Sequence, residues 1–283
     1  MKPIVPIVGI SKIIAPYDAV ITGFDGVLTK GGEFFEESLD ALKKIKALGK
    51  DIVLLSNTPL RIYEIVARFE AAGFDVRNFK AVMTAGEMAH FMLKSQKRLK
   101  NNYYNIGGAD ASGIFKGLNY QKVSDINKAD FVFIAYADPS KEVIEDYVPQ
   151  LQEALALNLE MFCVGTDVAR HISGQVAIGV GHIAEQYAAM GGKITTIGKA
   201  DQRVLNYIQE TLSASLKNIL FIGDSFTSDM KCANMMKTDM LFVSKGVHMS
   251  ALGEGYIPDV QKTRLLAMNH GVYPDYVISS LRF

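Results

Sequence analysis

Apolar residues along the chain gather in short runs that break at glycine, asparagine or serine, and between these runs apolar positions recur at helical spacing. The first run, Ala19-Val20-Ile21, breaks at Gly23 and Gly26 and predicts a buried strand feeding a loop. Residues 36–49 carry Leu39, Leu42, Ile45 and Leu48 at steps of three, which predicts a one-faced helix closed by Gly49. A second strand over 52–55 ends in Ser56-Asn57-Thr58-Pro59, and a helix over 60–72 follows, stopped by Gly73. Strand, helix, strand, helix at this spacing is the pattern of a parallel sheet. Further strands are predicted at 103–106, 131–136, 161–164, 194–197 and 218–222, so the alternation persists almost throughout. Between 101 and 191 the segments are shorter and richer in Gly and Asn, and an inserted second domain is placed there, leaving a core of 1–100 with 192–283.

Composition narrows the classes of function. The 283 residues are 49% hydrophobic and 21% charged, which fits a soluble globular protein and excludes a disordered or collagen-like chain. Thirty basic residues balance thirty acidic ones, so no broad field exists to hold nucleic acid or an anionic membrane, and neither is expected as a partner. Cys163 and Cys232 form no CxxC pair and read as small buried hydrophobes, which suits a reducing cytoplasm. Pro3, Pro6 and Lys12 interrupt the apolar first fourteen residues, which read as a mature N-terminus rather than a signal peptide. No apolar stretch approaches the ~20 residues of a membrane helix. His90, His171, His182, His248 and His270 share no metal-ligand spacing, and the basic run Lys94, Lys97, Arg98, Lys100 reads as a solvated helix end.

In an open parallel sheet, ligands gather beyond the carboxyl ends of the strands. Four such places carry chemistry: Gly23-Phe24-Asp25-Gly26, Ser56-Asn57-Thr58, Gly198-Lys199, and Gly223-Asp224-Ser225-Phe226-Thr227-Ser228-Asp229. Together they offer carboxylates for a divalent cation, a hydroxyl and backbone N–H groups for oxyanions, and one ammonium, a set suited to a phosphoryl group with Mg²⁺. Each also has a plainer reading. Asp25 suits a turn, Ser56-Asn57-Thr58-Pro59 a helix start, Lys199 a solvated strand end, and Asp229 a helix N-terminus. A different class is raised by Gly179-Val180-Gly181-His182-Ile183-Ala184 with Asp201 about twenty residues on, a Rossmann-like string that would mark a dinucleotide-binding oxidoreductase.

These stretches resemble the haloacid dehalogenase (HAD) superfamily, in its class IIA, NagD-like branch, over nearly the whole chain. Ile21-Thr22-Gly23-Phe24-Asp25-Gly26-Val27 is similar to the family's strand-D-x-D-G-V motif, and Leu54-Leu55-Ser56-Asn57 to its strand-Ser/Thr-Asn motif. Ile197-Gly198-Lys199 is similar to its lysine motif, and residues 223–229 to its GDxxxxD motif. Thr84-Ala85-Gly86-Glu87 resembles the branch's T-S-G-E helix start, and Pro274-Asp275-Tyr276-Val277-Ile278 its closing P-D-Y-V-I strand. The resemblance implies an α/β fold, a doubly wound parallel sheet forming a HAD-like Rossmannoid core, with an inserted α/β class II cap over 101–191.

It also implies roles. Asp25 would be the general acid/base, Ser56, Asn57 and Lys199 would bind phosphoryl oxygens, and Asp224 and the Asp25 main-chain carbonyl would ligate Mg²⁺ with Asp229 in support. The family's nucleophile, however, falls on Gly23, which cannot attack phosphorus. Three readings stay open: a slow Mg²⁺-dependent phosphomonoester hydrolase in which Asp25 activates water directly, a catalytically inactive phospho-ligand binder or sensor, and a sequence change of Asp to Gly in an ordinary phosphatase. The substrate implied is a small phosphorylated metabolite chosen by the cap. There Asp167, in Cys163-Val164-Gly165-Thr166-Asp167, resembles the aspartate of an N-P-D turn, and Tyr136-Ala137-Asp138-Pro139 an altered Y-D region. Pairing of caps would give a homodimer.

Overall fold

The computed structural model describes residues 3–96, 100–109, 111–172, 175–212 and 218–283, with backbone alone at 170–172 and 175–176. Lys97 and Arg98 of the basic run, and the side chain of His171, lie outside the described residues. Chain contacts divide into two units: Met1–Ser56, Tyr63–Met83 and Gln202–Phe283 form the first, and Asn57–Ile62 with Thr84–Asp201 the second.

In the first unit, strands such as Ala19–Thr22 are buried along their whole length, as a sheet covered on both faces requires. Seven strands lie in the order Val5–Pro6, Tyr276–Ile278, Asp239–Val243, Ile219–Gly223, Ala19–Thr22, Asp51–Ser56, Ala81–Thr84. The pairings from Val5–Pro6 across to Asp51–Ser56 are parallel, so the carboxyl ends of these strands share one edge. From Ala19–Thr22 the chain moves outward one way through Asp51–Ser56, and from Ile219–Gly223 the other way through Asp239–Val243. The winding therefore reverses between Ala19–Thr22 and Ile219–Gly223, the switch point where such sheets leave a crevice.

The predicted helix over 36–49 is Glu36–Ala47, with Leu39, Ala41, Leu42 and Ile45 buried and Gly49 just beyond in the left-handed region at φ +77°. The predicted helix over 60–72 is Ile62–Ala71. Asp239–Val243, a strand the pattern reading omits, carries the same apolar signal in Met240-Leu241-Phe242-Val243. A short hairpin, Thr29–Lys30 with Glu33–Phe34, turns on Gly31 and Gly32, both at positive φ (+61° and +92°), as a two-residue turn demands. Beneath it the rings of Phe24, Phe34, Phe74 and Phe79 surround Phe69 at centroid distances of 5.7, 4.8, 5.3 and 5.1 Å.

The second unit has its own sheet, ordered Ile194–Ile197, Glu160–Val164, Phe131–Ile134, Asn102–Asn105, Gln121–Val123, with every pair parallel. Its side chains alternate between two cores. Val132, Ile134, Met161 and Cys163 pack with Tyr147, Leu151, Ile183 and Tyr187. Phe131, Phe133, Phe162 and Val164 pack with Ala85, Ala89, Leu93, Tyr103 and Phe115. The second core explains why this unit resumes at Thr84: helix Ala85–Ser95 buries its apolar face on this sheet. Pairing of Ile194–Ile197 with Glu160–Val164 carries the unit on to Asp201. Among the described residues, no helix is long and apolar enough to cross a membrane.

Phe69 is the hub of the first unit's aromatic cluster, and removing its ring leaves a hole that neighbouring rings cannot fill. Phe69→Ala is expected to lower stability by about 3–5 kcal/mol in urea denaturation. A loss below about 1 kcal/mol would contradict the hub role.

Candidate active site

At the switch point the strand Ala19–Thr22 ends in Gly23, whose N–H donates to the Ile222 carbonyl at 2.8 Å and whose carbonyl accepts from Thr22 Oγ1 at 3.0 Å. Phe24 then plunges into the aromatic cluster while Asp25 is exposed. The loop closes on itself: Leu28 N–H and Thr29 N–H both donate to the Phe24 carbonyl, and Gly26 N–H donates to the Thr29 carbonyl at 2.8 Å. Thr29 Oγ1 donates to Asp25 Oδ1 at 3.1 Å, which steadies the carboxylate in the position the family gives its general acid/base.

Asp224 follows the neighbouring strand and is 6% exposed. Its Oδ2 accepts from the Val247 N–H at 2.7 Å. A Cβ on Gly26 would lie 1.9 Å from that oxygen, and one on Gly246 would lie 2.2 Å from it, so two stretches of backbone close on the carboxylate where only glycine fits. Gly26 is also at φ +78°, so two independent constraints fix its identity. Asp229 shapes the same loop from behind, its Oδ2 accepting from the N–H groups of Asp224 and Ser225, both at 3.1 Å. A Cβ on Gly223 would strike it at 2.3 Å. Ser56 is buried at the carboxyl end of Asp51–Ser56, on the edge shared by these loops.

Among the described residues, no three His, Cys, Asp or Glu side chains gather as a metal cage. The first unit offers instead two buried carboxylates, Asp229, which accepts from the loop's own N–H groups, and Asp224, which faces the Gly26 backbone, with oxygen donors only. That donor set fits Mg²⁺, which keeps most of its waters and takes one or two carboxylates plus substrate phosphate oxygens.

Asn57 and Lys199 belong to the second unit, where the structure brings them together through the main chain. Lys199 is 5% exposed, and its N–H donates to Asn57 Oδ1 at 2.7 Å. The Asn57 amide nitrogen donates to Thr166 Oγ1 at 3.1 Å and to Asp167 Oδ1 at 2.8 Å. Both of its N–H donors are therefore engaged by protein. The sequence places Asn57 among phosphate binders; its side chain here ties together the loops after three strands. Asp167 is thereby placed in the same network.

A second network was not legible as one. Glu87 receives Arg61 Nε at 2.8 Å, an Arg61 terminal nitrogen at 2.9 Å and the Ile62 N–H at 3.1 Å. Thr84 caps helix Ala85–Ser95 by accepting from the Glu87 N–H, and its hydroxyl donates to the Leu60 carbonyl at 2.6 Å. Gly86 N–H donates to the Thr58 carbonyl at 3.1 Å, and a Cβ on Gly86 would lie 2.0 Å from the Pro59 carbonyl oxygen. The segment after Asn57 is thus laced to the start of the helix. Burial presses the Glu87 carboxyl upward, but the hydrogen bonds from Arg61 and Ile62 and the charges of Arg61 and His90 outweigh it and hold the group below its ordinary value.

The Rossmann-like string takes another role. Its preceding strand, Gln175–Ile178, pairs antiparallel with Ala169–Ile172 as a two-stranded ribbon, so the βαβ context of a dinucleotide site is missing. Gly179 and Gly181 are explained by close backbone approach, since their Cβ atoms would stand 2.0 Å from the Asp167 carbonyl oxygen and 2.6 Å from that of Thr166. Asp138 accepts from the N–H and hydroxyl of Ser140 in an exposed turn. His90 Nδ1 lies 2.8 Å from the Ile114 carbonyl, and His270 stacks on Phe226 with centroids 5.2 Å apart. Both cysteines are buried and in no disulfide, and burial pushes the thiol of Cys163 well up.

Two family models match the sequence, haloacid dehalogenase-like hydrolase over residues 20–121 and HAD-hydrolase-like over 196–282. Among solved structures, a haloacid dehalogenase-like family hydrolase from Brucella suis 1330 is 24% identical, with 96% of this chain and 98% of that one covered and a TM-score of 0.77. The p-nitrophenyl phosphatase from Archaeoglobus fulgidus is 19% identical, with coverages of 93% and 96% and a TM-score of 0.69. NagD from E. coli K-12 is 18% identical, with coverages of 93% and 96% and a TM-score of 0.63. These likenesses are of fold. No curated protein matches the sequence.

Gly26→Ala is expected to destabilise the first unit. The left-handed backbone alone costs on the order of 1–3 kcal/mol for a residue with a Cβ, before Asp224 is displaced. An unchanged urea midpoint would rule out the close approach described. Glu87 has a folded-state pKa below its unfolded value, so its contribution is full above the unfolded value and is lost as pH falls through the folded one. Glu87→Gln is expected to be less stable at neutral pH and to show a shallower acid limb in melting temperature against pH; parallel curves would show that the ion pair carries none of that dependence.

Proposed function

The chain belongs to the haloacid dehalogenase-like hydrolases and has their phosphatase-like fold in the class IIA, NagD-like form, and from that membership we propose that it acts on a small phosphorylated metabolite as a slow, Mg²⁺-dependent phosphomonoester hydrolase. The observation that supports this most directly is the Asp224 carboxylate, buried at the switch point between Gly26 and Gly246 and hydrogen-bonded by Val247. Nothing in a purely structural turn calls for a carboxylate so closely confined.

In the proposed reaction, Asp224 and the Asp25 main-chain carbonyl would hold Mg²⁺, which when bound would supply positive charge beside the phosphoryl oxygens. Ser56 and Lys199 hold those oxygens, with Asn57 organising the backbone around Lys199 and Asp229 keeping the Asp224 loop in shape. Since Gly23 supplies no nucleophile, a water oxygen bonds to phosphorus as the ester oxygen leaves with the electron pair of the broken bond. Asp25, steadied by Thr29, takes the proton from that water and returns it to the ester oxygen. The neutral charge balance and the two buried thiols fit a site of action in the cytoplasm.

Gly23 also favours a second reading, in which the fold binds a phosphorylated ligand without turning it over. The two differ in one measurement. Release of p-nitrophenol from p-nitrophenyl phosphate with Mg²⁺ is expected to be slow but above a Lys199→Met control, and Gly23→Asp is expected to raise it at least about a hundredfold by restoring covalent attack. Equal rates for Gly23 and Asp at this position would remove the role assigned to it. Ligand-induced thermal stabilisation with no turnover above the control would favour the binder.

A further inference from the structure

The main chain of Lys199 is held from both sides. Its N–H donates to Asn57 Oδ1 at 2.7 Å, and its carbonyl accepts from Thr166 Oγ1 at 3.2 Å. Asn57 and Thr166 are bonded to each other at 3.1 Å, and the second amide proton of Asn57 goes to Asp167 at 2.8 Å. Gly198, just before the lysine, approaches so closely that a Cβ there would lie 2.5 Å from Asn57 Oδ1. Ala200, just after it, is held at φ +64°, a conformation that disfavours a residue with a Cβ. The peptide groups of Lys199 are therefore held by two side chains from two other loops, with Gly198 packed against one of them. A lysine that merely ends a strand requires none of this. Its 5% exposure adds that the side chain sits where solvent does not set its direction.

Resting on the phosphoryl-binding role of Lys199 given above, we propose that Thr166, acting with Asn57, is a positioning residue that aims the Lys199 ammonium at the phosphoryl group. Thr166 touches neither substrate nor cation in this scheme. Its hydroxyl both accepts from Asn57 and donates to the Lys199 carbonyl, so it completes a closed circuit around the lysine's peptide groups. The clamp fixes the backbone from which the ammonium extends, so that part of the ordering precedes the arrival of an anion, which is how preorganisation raises affinity. Thr166 lies in the segment Cys163-Val164-Gly165-Thr166-Asp167, so the position is determined by the second unit's own strand Glu160–Val164.

The test measures thermal stabilisation by inorganic phosphate with Mg²⁺ present, which does not depend on turnover. Thr166→Val keeps the shape without the hydroxyl and Thr166→Ser keeps the hydroxyl. The expected result is that the valine form needs roughly tenfold more phosphate for the same shift, while the serine form behaves as the parent. In a Lys199→Met background, Thr166→Val is expected to add nothing further, because the two act through one group. Equal phosphate responses in the parent and the valine form, or full additivity with Lys199→Met, would overturn the proposal while leaving the phosphoryl-binding reading intact. A parent protein with no phosphate response would overturn both. Thr166→Ala takes the place of the valine form in the same cycle if valine prevents folding, and the same outcomes decide.

Discussion

Two backbones touching one carboxylate govern the first unit. Asp224 can be where it is only because Gly26 and Gly246 present no side chain to it, and because the Val247 N–H compensates the carboxylate for lost water. That confinement joins three chain segments of distant sequence at the place where the sheet reverses its winding. It also fixes side-chain length, since a carboxylate one methylene longer would have to push its way into either backbone. The loop of Asp229 and the anchor of Phe24 keep those segments from drifting apart.

The second unit works differently. Its parallel sheet is covered on both faces by separate cores, and its reactive-looking residues are held by side-chain amide and hydroxyl contacts as well as by close glycine approach. Asn57, Thr166 and Asp167 form one network around Lys199, and Arg61 with Glu87 forms another around the segment that follows Asn57. Both are buried polar systems in which removing one partner leaves another unsatisfied. Such systems specify a conformation more than they add net stability.

How much of this was legible in the sequence depended on the range of the interaction. Apolar runs such as Ala19-Val20-Ile21 and the three-residue spacing of Leu39, Leu42 and Ile45 report on local burial, and strands and helix appear where they predict. Asp25 and Asp224 drew notice because each stands just after an apolar strand, and the 223–229 stretch places Asp229 close enough to accept from the Asp224 N–H. The Rossmann-like string raised only a remote alternative, and Gly179 and Gly181 answer to the backbone of Asp167 and Thr166, which spacing cannot reveal. The family resemblance implied a phosphate-binding role for Asn57, but nothing in the chain announces that its side-chain amide also bonds Thr166 and the Lys199 N–H, more than a hundred residues away. Glu87 was visible as part of a helix start, whereas its partner Arg61 was not, since a pair 26 residues apart leaves no periodic trace.

Strand order has a consequence for biosynthesis. Ala19–Thr22 leaves a ribosome early, yet its neighbour Ile219–Gly223 emerges about two hundred residues later, after every residue of the second unit. During that interval one flank of the nascent sheet stays unpaired while the second unit, continuous from Thr84 to Asp201, can already collapse. Vectorial synthesis therefore completes the second unit first and closes the backbone around Asp224 last, so a truncated chain would display a naked apolar strand to chaperones.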